Sequence, residues 1–163
     1  LMNQRDFPSY GYLADKKNNT LWETWNGDGN DEGCGHCHPM FGSVVAWFYH
    51  SLAGIKPDQS DPGMKHFYIE PMIVPDLKYC RATYDSQYGK ISSDWKIDEN
   101  GNLNLKIEVP ANTSATVIIP DWGGRTVLES GKPVSEVSNI VIDKVDSARM
   151  KVSSGVYHFV ILK

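Results

Sequence analysis

Ile91-Ser92-Ser93-Asp94-Trp95-Lys96-Ile97 and Leu103-Asn104-Leu105-Lys106-Ile107-Glu108-Val109 stand on either side of Asp98-Glu99-Asn100-Gly101-Asn102. Large apolar residues recur at alternate positions, Ile91, Trp95 and Ile97 (with Ser93 between them) and then Leu103, Leu105, Ile107 and Val109, the period of a strand with one buried face. Asn100-Gly101 between them is a strong reversal signal, because glycine reaches positive φ without steric cost. The stretch therefore reads as an antiparallel hairpin. Working outward, the same period recurs at 66–69, 78–84, 115–119, 126–129, 140–144, 148–152 and 157–162. About nine short strands with turns every eight to twelve residues predict an antiparallel β-sandwich. The roughly 100 residues after position 57 suffice for one such domain.

Upstream the pattern changes. Residues 1–30 are loop-like, with Pro8, Gly11 and polar runs. A helix is expected over 39–53: Pro39 suits a first helical turn, where its missing N–H is no loss. Val44, Trp47, Phe48 and Leu52 then form one apolar stripe, and Gly54 stands where a helix ends. Lys56-Pro57-Asp58-Gln59-Ser60-Asp61-Pro62-Gly63 reads as a linker. One helix cannot bury its stripe alone. It packs on the sandwich, or it is left over from a larger helical domain. The chain thus divides into residues 1–56 and 57–163.

Composition narrows the function classes. The 163 residues carry a net charge of -4, 40% hydrophobic and 22% charged residues, which excludes an intrinsically disordered chain. An acidic balance argues against a nucleic-acid partner, which needs cations to neutralise phosphates. No apolar run approaches the ~20 residues of a membrane span, so no membrane partner is expected. The first residues contain no signal-peptide core, and an exported parent would carry its signal upstream. Three cysteines do not make a disulfide framework. Five Trp, eight Tyr and five Phe suit either a β core or the C–H faces of sugars.

The densest polar cluster runs from Trp22 to His38. Cys34-Gly35-His36-Cys37-His38 fits the C-x-x-C-H pattern of haem attachment and also offers soft metal ligands. A haem needs several helices around it, and a structural zinc usually needs a second ligand pair. Neither is present, so no metal or cofactor is expected. Glu23 lies between Trp22 and Trp25, and apolar neighbours that oppose the charged form are how a general acid or base is made. A solvated surface carboxylate is the plainer alternative. His38 stands at a helix start, where it serves a ligand or simply bonds locally.

Thr20-Leu21-Trp22-Glu23-Thr24-Trp25, then His38-Pro39-Met40-Phe41-Gly42-Ser43-Val44, Trp47-Phe48-Tyr49 and Leu52-Ala53-Gly54-Ile55 resemble the C-terminal region of bacterial α-L-rhamnosidases, glycoside hydrolase family 78. The resemblance continues through Asp61-Pro62-Gly63, Ile69-Glu70-Pro71, Ser86-Gln87-Tyr88-Gly89-Lys90-Ile91, Trp95 and Val109-Pro110-Ala111-Asn112-Thr113. It implies a mainly β chain: a loop and one helix from the end of an (α/α)₆ barrel, then a C-terminal β-sandwich. It implies that Glu23 is the general base of an inverting glycosidase, and that His38, Trp22 and Trp25 bind the sugar. Its implied partners are rhamnose-containing glycosides or polysaccharides and an upstream catalytic barrel of the same polypeptide carrying the general acid. The chain alone would then be inactive, and a periplasmic or extracellular location is implied. Cys37 departs from the family, where Asn often precedes the histidine. The competing expectation is a stand-alone carbohydrate-binding or structural β-sandwich module with a linker arm.

Overall fold

The computed structural model describes residues 4–16, 20–25, 35–120, 123–143, 146 and 148–163. The loop 26–34, and with it Cys34 of the C-x-x-C-H motif, lies outside the described residues, as does the end of the strand expected over 140–144. The chain forms two compact units, Leu1–Trp47 and Phe48–Lys163.

The second unit grows from the hairpin. Strands β4 (Gly89–Ile97) and β5 (Leu103–Ile118) pair antiparallel from Ser92–Glu108 to Ile97–Leu103. The turn is closed by Asp98: Oδ1 accepts from the N–H groups of Asn100 and Asn102, each at 2.9 Å. Oδ2 accepts from the amides of Asn102 (3.1 Å) and Asn104 (3.3 Å). Gly101 at φ +83° supplies the left-handed residue that the reversal requires. Strand β3 (Tyr79–Ser86) adds to the far edge of β4.

β5 is sixteen residues long and fuses two strands expected separately over 103–109 and 115–119. β9 (Arg149–Ile161) likewise fuses those expected over 148–152 and 157–162. The two lie antiparallel, with the register broken between Val109–Gly155 and Ser114–Ser153. Pro110 and Asn112, which lie between the two expected strands, form an irregular bridge within one, with Asn112 at φ +60° and Thr113 Oγ1 donating to Pro110 O at 2.7 Å. Inward positions on β9 accordingly switch from Met150 and Val152 to Tyr157, Phe159 and Ile161.

Beyond the break, β5 exchanges neighbours. Its first half pairs with β4; its second half pairs with β2 (His66–Ile69), which is bordered by β1 (Ile55–Pro57). On the other side β9 carries β6 (Val127–Glu129), with β7 (Lys132–Pro133) beyond it, and separately β8 (Ile140–Ile142). One hydrogen-bonded sheet of nine described strands thus supplies both layers, and their inner faces share a single core. Among the described pairings β2–β5 alone is parallel, an exception within the expected antiparallel sandwich.

Trp95 is fully buried, and its Nε1–H donates to Leu52 O at 2.7 Å; Ser93 Oγ donates to Ala53 O at 2.7 Å. Both bonds run from β4 to the segment entering β1, satisfying polar groups that would otherwise be buried unpaired. Gly54 between that segment and β1 sits at φ +75°, and a Cβ there would lie 2.2 Å from Glu70 C and Pro71 N. The stretch expected to be a linker is therefore structural at its start: Lys56 and Pro57 belong to β1. Pro is tolerated there because β1 is an edge strand.

The helical span differs in its winding. Pro39–Ser43 is a 3₁₀ turn, α2 (Val44–Trp47) one α turn, and Phe48–Leu52 a π-type turn. Trp47, expected on the apolar stripe, is 45% exposed. The first unit also contains a helix within the stretch read as loop, α1 (Tyr10–Asp15). Ser9 caps it by accepting from Tyr12 N–H at 3.0 Å.

Two outcomes follow for the second unit. A fragment of residues 48–163 should melt cooperatively with a β-dominated circular dichroism spectrum. One beginning at Pro62 should melt at least several degrees lower, because it lacks buried Ala53 and Ile55 and the acceptor for Trp95. Equal melting temperatures would contradict this account of the core. The second concerns acid. The Asn102 backbone N–H, foremost among the donors around it and against opposing desolvation, holds the Asp98 carboxyl below its ordinary value. The folded chain therefore binds that proton less readily than the unfolded chain, and the stabilisation is complete above about pH 4 and fades below it. Asp98→Asn should lower stability at neutral pH, with the deficit shrinking as denaturation is repeated at lower pH.

Candidate functional site

The predicted site residues belong to the first unit. Two short segments lie side by side there, joined by Glu23 N–H to Gly35 O (2.8 Å) and His38 N–H to Leu21 O (2.8 Å). This pairing brings the segment of Glu23 beside that of His38, fifteen positions along the chain. The Glu23 carboxylate is fixed by a third bond, Gly35 N–H to Oε2 at 2.9 Å. A Cβ on Gly35 would lie 3.3 Å from Oε2, a tight contact that glycine avoids. Glu23 is half-buried, and its Oε1 has no hydrogen-bond partner among the described residues. One oxygen is thus anchored, and the other is without a partner among the described residues.

His38 is the N-cap of the Pro39–Ser43 turn, in extended conformation, and its Nδ1 accepts from Met40 N–H at 3.2 Å. The local role anticipated for a histidine at a helix start is therefore present. It also sets the tautomer: with Nδ1 accepting, the neutral ring carries its hydrogen on Nε2, a donor suited to a hydroxyl.

The two tryptophans have different surroundings. Trp22 is 4% exposed and stacks on His36 with centroids 5.4 Å apart at 26°. Trp25 is half-buried and stacks on Phe41 at 4.2 Å and 24°. Tyr10 of α1 meets both rings edge-on, at 5.3 Å from Trp25 and 6.4 Å from Phe41, and its hydroxyl donates to Phe41 O at 2.8 Å. Edge-to-face and offset stacks each add about 0.5–1.5 kcal/mol beyond area burial. Trp25 is thus held by a three-ring cluster that ties α1 to the turn after His38.

Sequence reasoning named Glu23, His38, Trp22 and Trp25, and missed Gly35, Tyr10 and Phe41 as their supports. The Tyr10–Phe41 contact joins residues 31 positions apart, with no periodic signal to reveal it. Cys37 is exposed and free. Among the described residues no group of three or more His, Cys, Asp or Glu side chains is arranged to hold a metal ion.

Residues 1–52 match the bacterial alpha-L-rhamnosidase 6 hairpin glycosidase domain, and residues 54–133 the bacterial alpha-L-rhamnosidase C-terminal domain. An alpha-L-rhamnosidase of Streptomyces avermitilis is 36% identical over 74% of the chain, and one of Formosa agariphila 28% identical over 98%. The chain spans only 12% and 18% of the length of these relatives. Among solved structures, the alpha-L-rhamnosidase from Dictyoglumus thermophilum superposes over the whole chain and 18% of its own, with TM-score 0.82 and 32% identity. The Streptomyces avermitilis enzyme complexed with L-rhamnose covers 98% of the chain, and 15% of its own, with TM-score 0.75 and 31% identity.

The Tyr10 hydroxyl gives this cluster its testable support. Tyr10→Phe keeps the ring and deletes the bond to Phe41 O. It should destabilise the first unit by about 1 kcal/mol, seen as faster amide exchange in the Pro39–Ser43 turn. Unchanged exchange would show that the rings alone hold Phe41.

Proposed function

The chain belongs to the bacterial α-L-rhamnosidase family, and we propose that its parent protein is an inverting α-L-rhamnoside hydrolase in which Glu23 is the general base. In this reading the segment up to residue 52, which matches the glycosidase domain, completes the helical catalytic barrel, and the β-sandwich that follows it takes in β1. Substrates are rhamnose-containing glycosides or polysaccharides. The general acid comes from the barrel upstream in the same polypeptide, so the 163 residues alone do not turn over.

The observation that carries the proposal is the anchored carboxylate: Oε2 held by Gly35 N–H, Oε1 without a partner among the described residues, in a segment matching a glycosidase domain. Inversion requires a water between the sugar and a carboxylate, with the acid roughly 6.5–9.5 Å away on the opposite face. Glu23 takes a proton from that water as its oxygen attacks the anomeric carbon. The C–O bond to the leaving group breaks, and the upstream acid protonates the departing oxygen. An oxygen fixed by a backbone N–H keeps the other in place for the transfer, so less reorganisation is needed at the moment of reaction. His38 Nε2–H donates to a sugar hydroxyl, and Trp25 offers an apolar wall. Trp22, 4% exposed and stacked on His36, is the less open of the two tryptophans. The match of residues 1–52 to a glycosidase domain favours this reading over a stand-alone sandwich module.

Glu23→Gln in the parent polypeptide should lower kcat on an aryl α-L-rhamnoside by about 10²–10⁴-fold. KM should change far less, since the lost interaction acts mainly in the transition state. His38→Asn preserves a capping acceptor and should raise KM more than it lowers kcat. Near-normal kcat in Glu23→Gln returns Glu23 to a structural role. The isolated chain serves as a control and should be inactive with or without Glu23.

A further inference from the structure

The inward positions of β1, β2, β5 and β9 are apolar; their alternate positions carry different chemistry. The strand register places Lys56, Tyr68, Thr116 and Lys151 in one row across these four strands. His66, Ser114 and Ser153 form the row on one side of it, and Ile118 with Arg149 the row on the other. Two depressions of about 460 and 440 Å³ open on this face and share Asp58, Tyr68 and Arg149. Each is large enough for a small ligand.

Parts of the face are preorganised. His66 Nδ1 lies 2.9 Å from Ser114 Oγ, and Nε2 lies 3.1 Å from Thr116 Oγ1 and 3.9 Å from Asp58 Oδ2. The ring fixed in this way meets Tyr68 edge-on, at 5.5 Å and 79°, so the half-buried tyrosine is held by a neighbour that is itself immobilised.

Charge decides the ligand class. Lys56, Arg149 and Lys151 share the depressions with Asp58, Glu70 and Asp143, three cations against three carboxylates. Lys56 is paired with Glu70 at 2.7 Å, and Arg149 with Asp146 at 3.2 Å. A phosphate or polyanion finds no net positive field here, and a cation no net negative one. Interspersed charged donors and acceptors beside an aromatic ring instead match the vicinal hydroxyls and the C–H face of a neutral sugar.

We propose that this outer face of the sandwich binds a neutral saccharide, with Tyr68 as the ring platform and Lys151, Arg149 and Asp58 as polar contacts. The site is separate from Glu23 and needs no catalysis; only the choice of a rhamnose-bearing probe rests on the proposed function. The test is titration of the 163-residue chain with rutinose, a neutral rhamnosyl-glucose, followed by ¹H–¹⁵N spectra. Saturable shifts should appear at His66, Tyr68, Thr116 and Lys151. Tyr68→Ala should weaken binding by about tenfold or more, with the remaining spectrum reporting that the fold is intact. Lys151→Ala, at an exposed position that the core does not need, should weaken it severalfold. Equal response to maltotriose supports a neutral-saccharide site, and leaves the hydrolytic reading to the Glu23 experiment. No shifts on this face, shifts confined to residues 20–43, or tighter binding of inorganic phosphate or glucuronate than of rutinose would each overturn the proposal.

Discussion

β5 and β9 lie antiparallel from Leu103–Ile161 to Ile118–Arg149, and both layers of the sandwich hang from this one ladder. Because the same two strands serve each layer, the layers are joined covalently as well as by packing. The irregular bridge between Val109 and Ser114 is what makes this possible. On one side of it β5 receives β4, and on the other β2. A straight ladder would extend a single flat sheet, with one face of Val109, Ala115 and Val117 left in water. With the bridge, residues from both halves enter the same core, and burial of Phe67, Trp95 and Phe159 closes the space between them. Each such side chain contributes about 1.5–3 kcal/mol relative to exposure, so the bridge governs a large part of the stability.

The constraint extends to the segment entering β1. Trp95 can sit fully buried only if its indole N–H finds an acceptor. Leu52 O is that acceptor, and Gly54 is the residue whose conformation permits the close approach to Glu70 and Pro71. A change at Gly54 therefore acts on Trp95 across the core without touching it.

How much of this was legible depended on whether the signal was local. The hairpin at 91–109 was readable because alternation and the Asn100-Gly101 turn lie within twenty residues and agree. The fused strands were not: Pro110 and Asn112 carry breaker chemistry, and only tertiary pairing with β9 shows that the backbone continues through them. Lys56-Pro57 reads as linker because proline weakens a strand signal, while an edge position tolerates it. α1 was hidden by its brevity and by Gly11, although Ser9 was a visible cap. Residue types were enough to single out Glu23 and His38 as candidates, since a carboxylate beside aromatics is a chemical signal in itself. Gly35 as a backbone donor carries no such mark, and Tyr10 reaches Phe41 only through the fold.

The parallel pairing of β2 with β5 bears on the order of assembly. A parallel partner cannot arrive by a tight turn; His66 reaches Ser114 only after the chain between them has formed β3 and β4 and reversed twice. Loop closure over that distance costs entropy before any contact repays it, whereas the β3–β4–β5 meander closes through short turns. The meander is thus the part of the sheet with the lowest contact order, and β9 and β2 each pair with β5 only through a much longer closure. Until they dock, the upper half of β5 presents unpaired backbone and apolar Ala115 and Val117 to solvent. This interval is when the nascent domain is most exposed to edge-to-edge association with another copy.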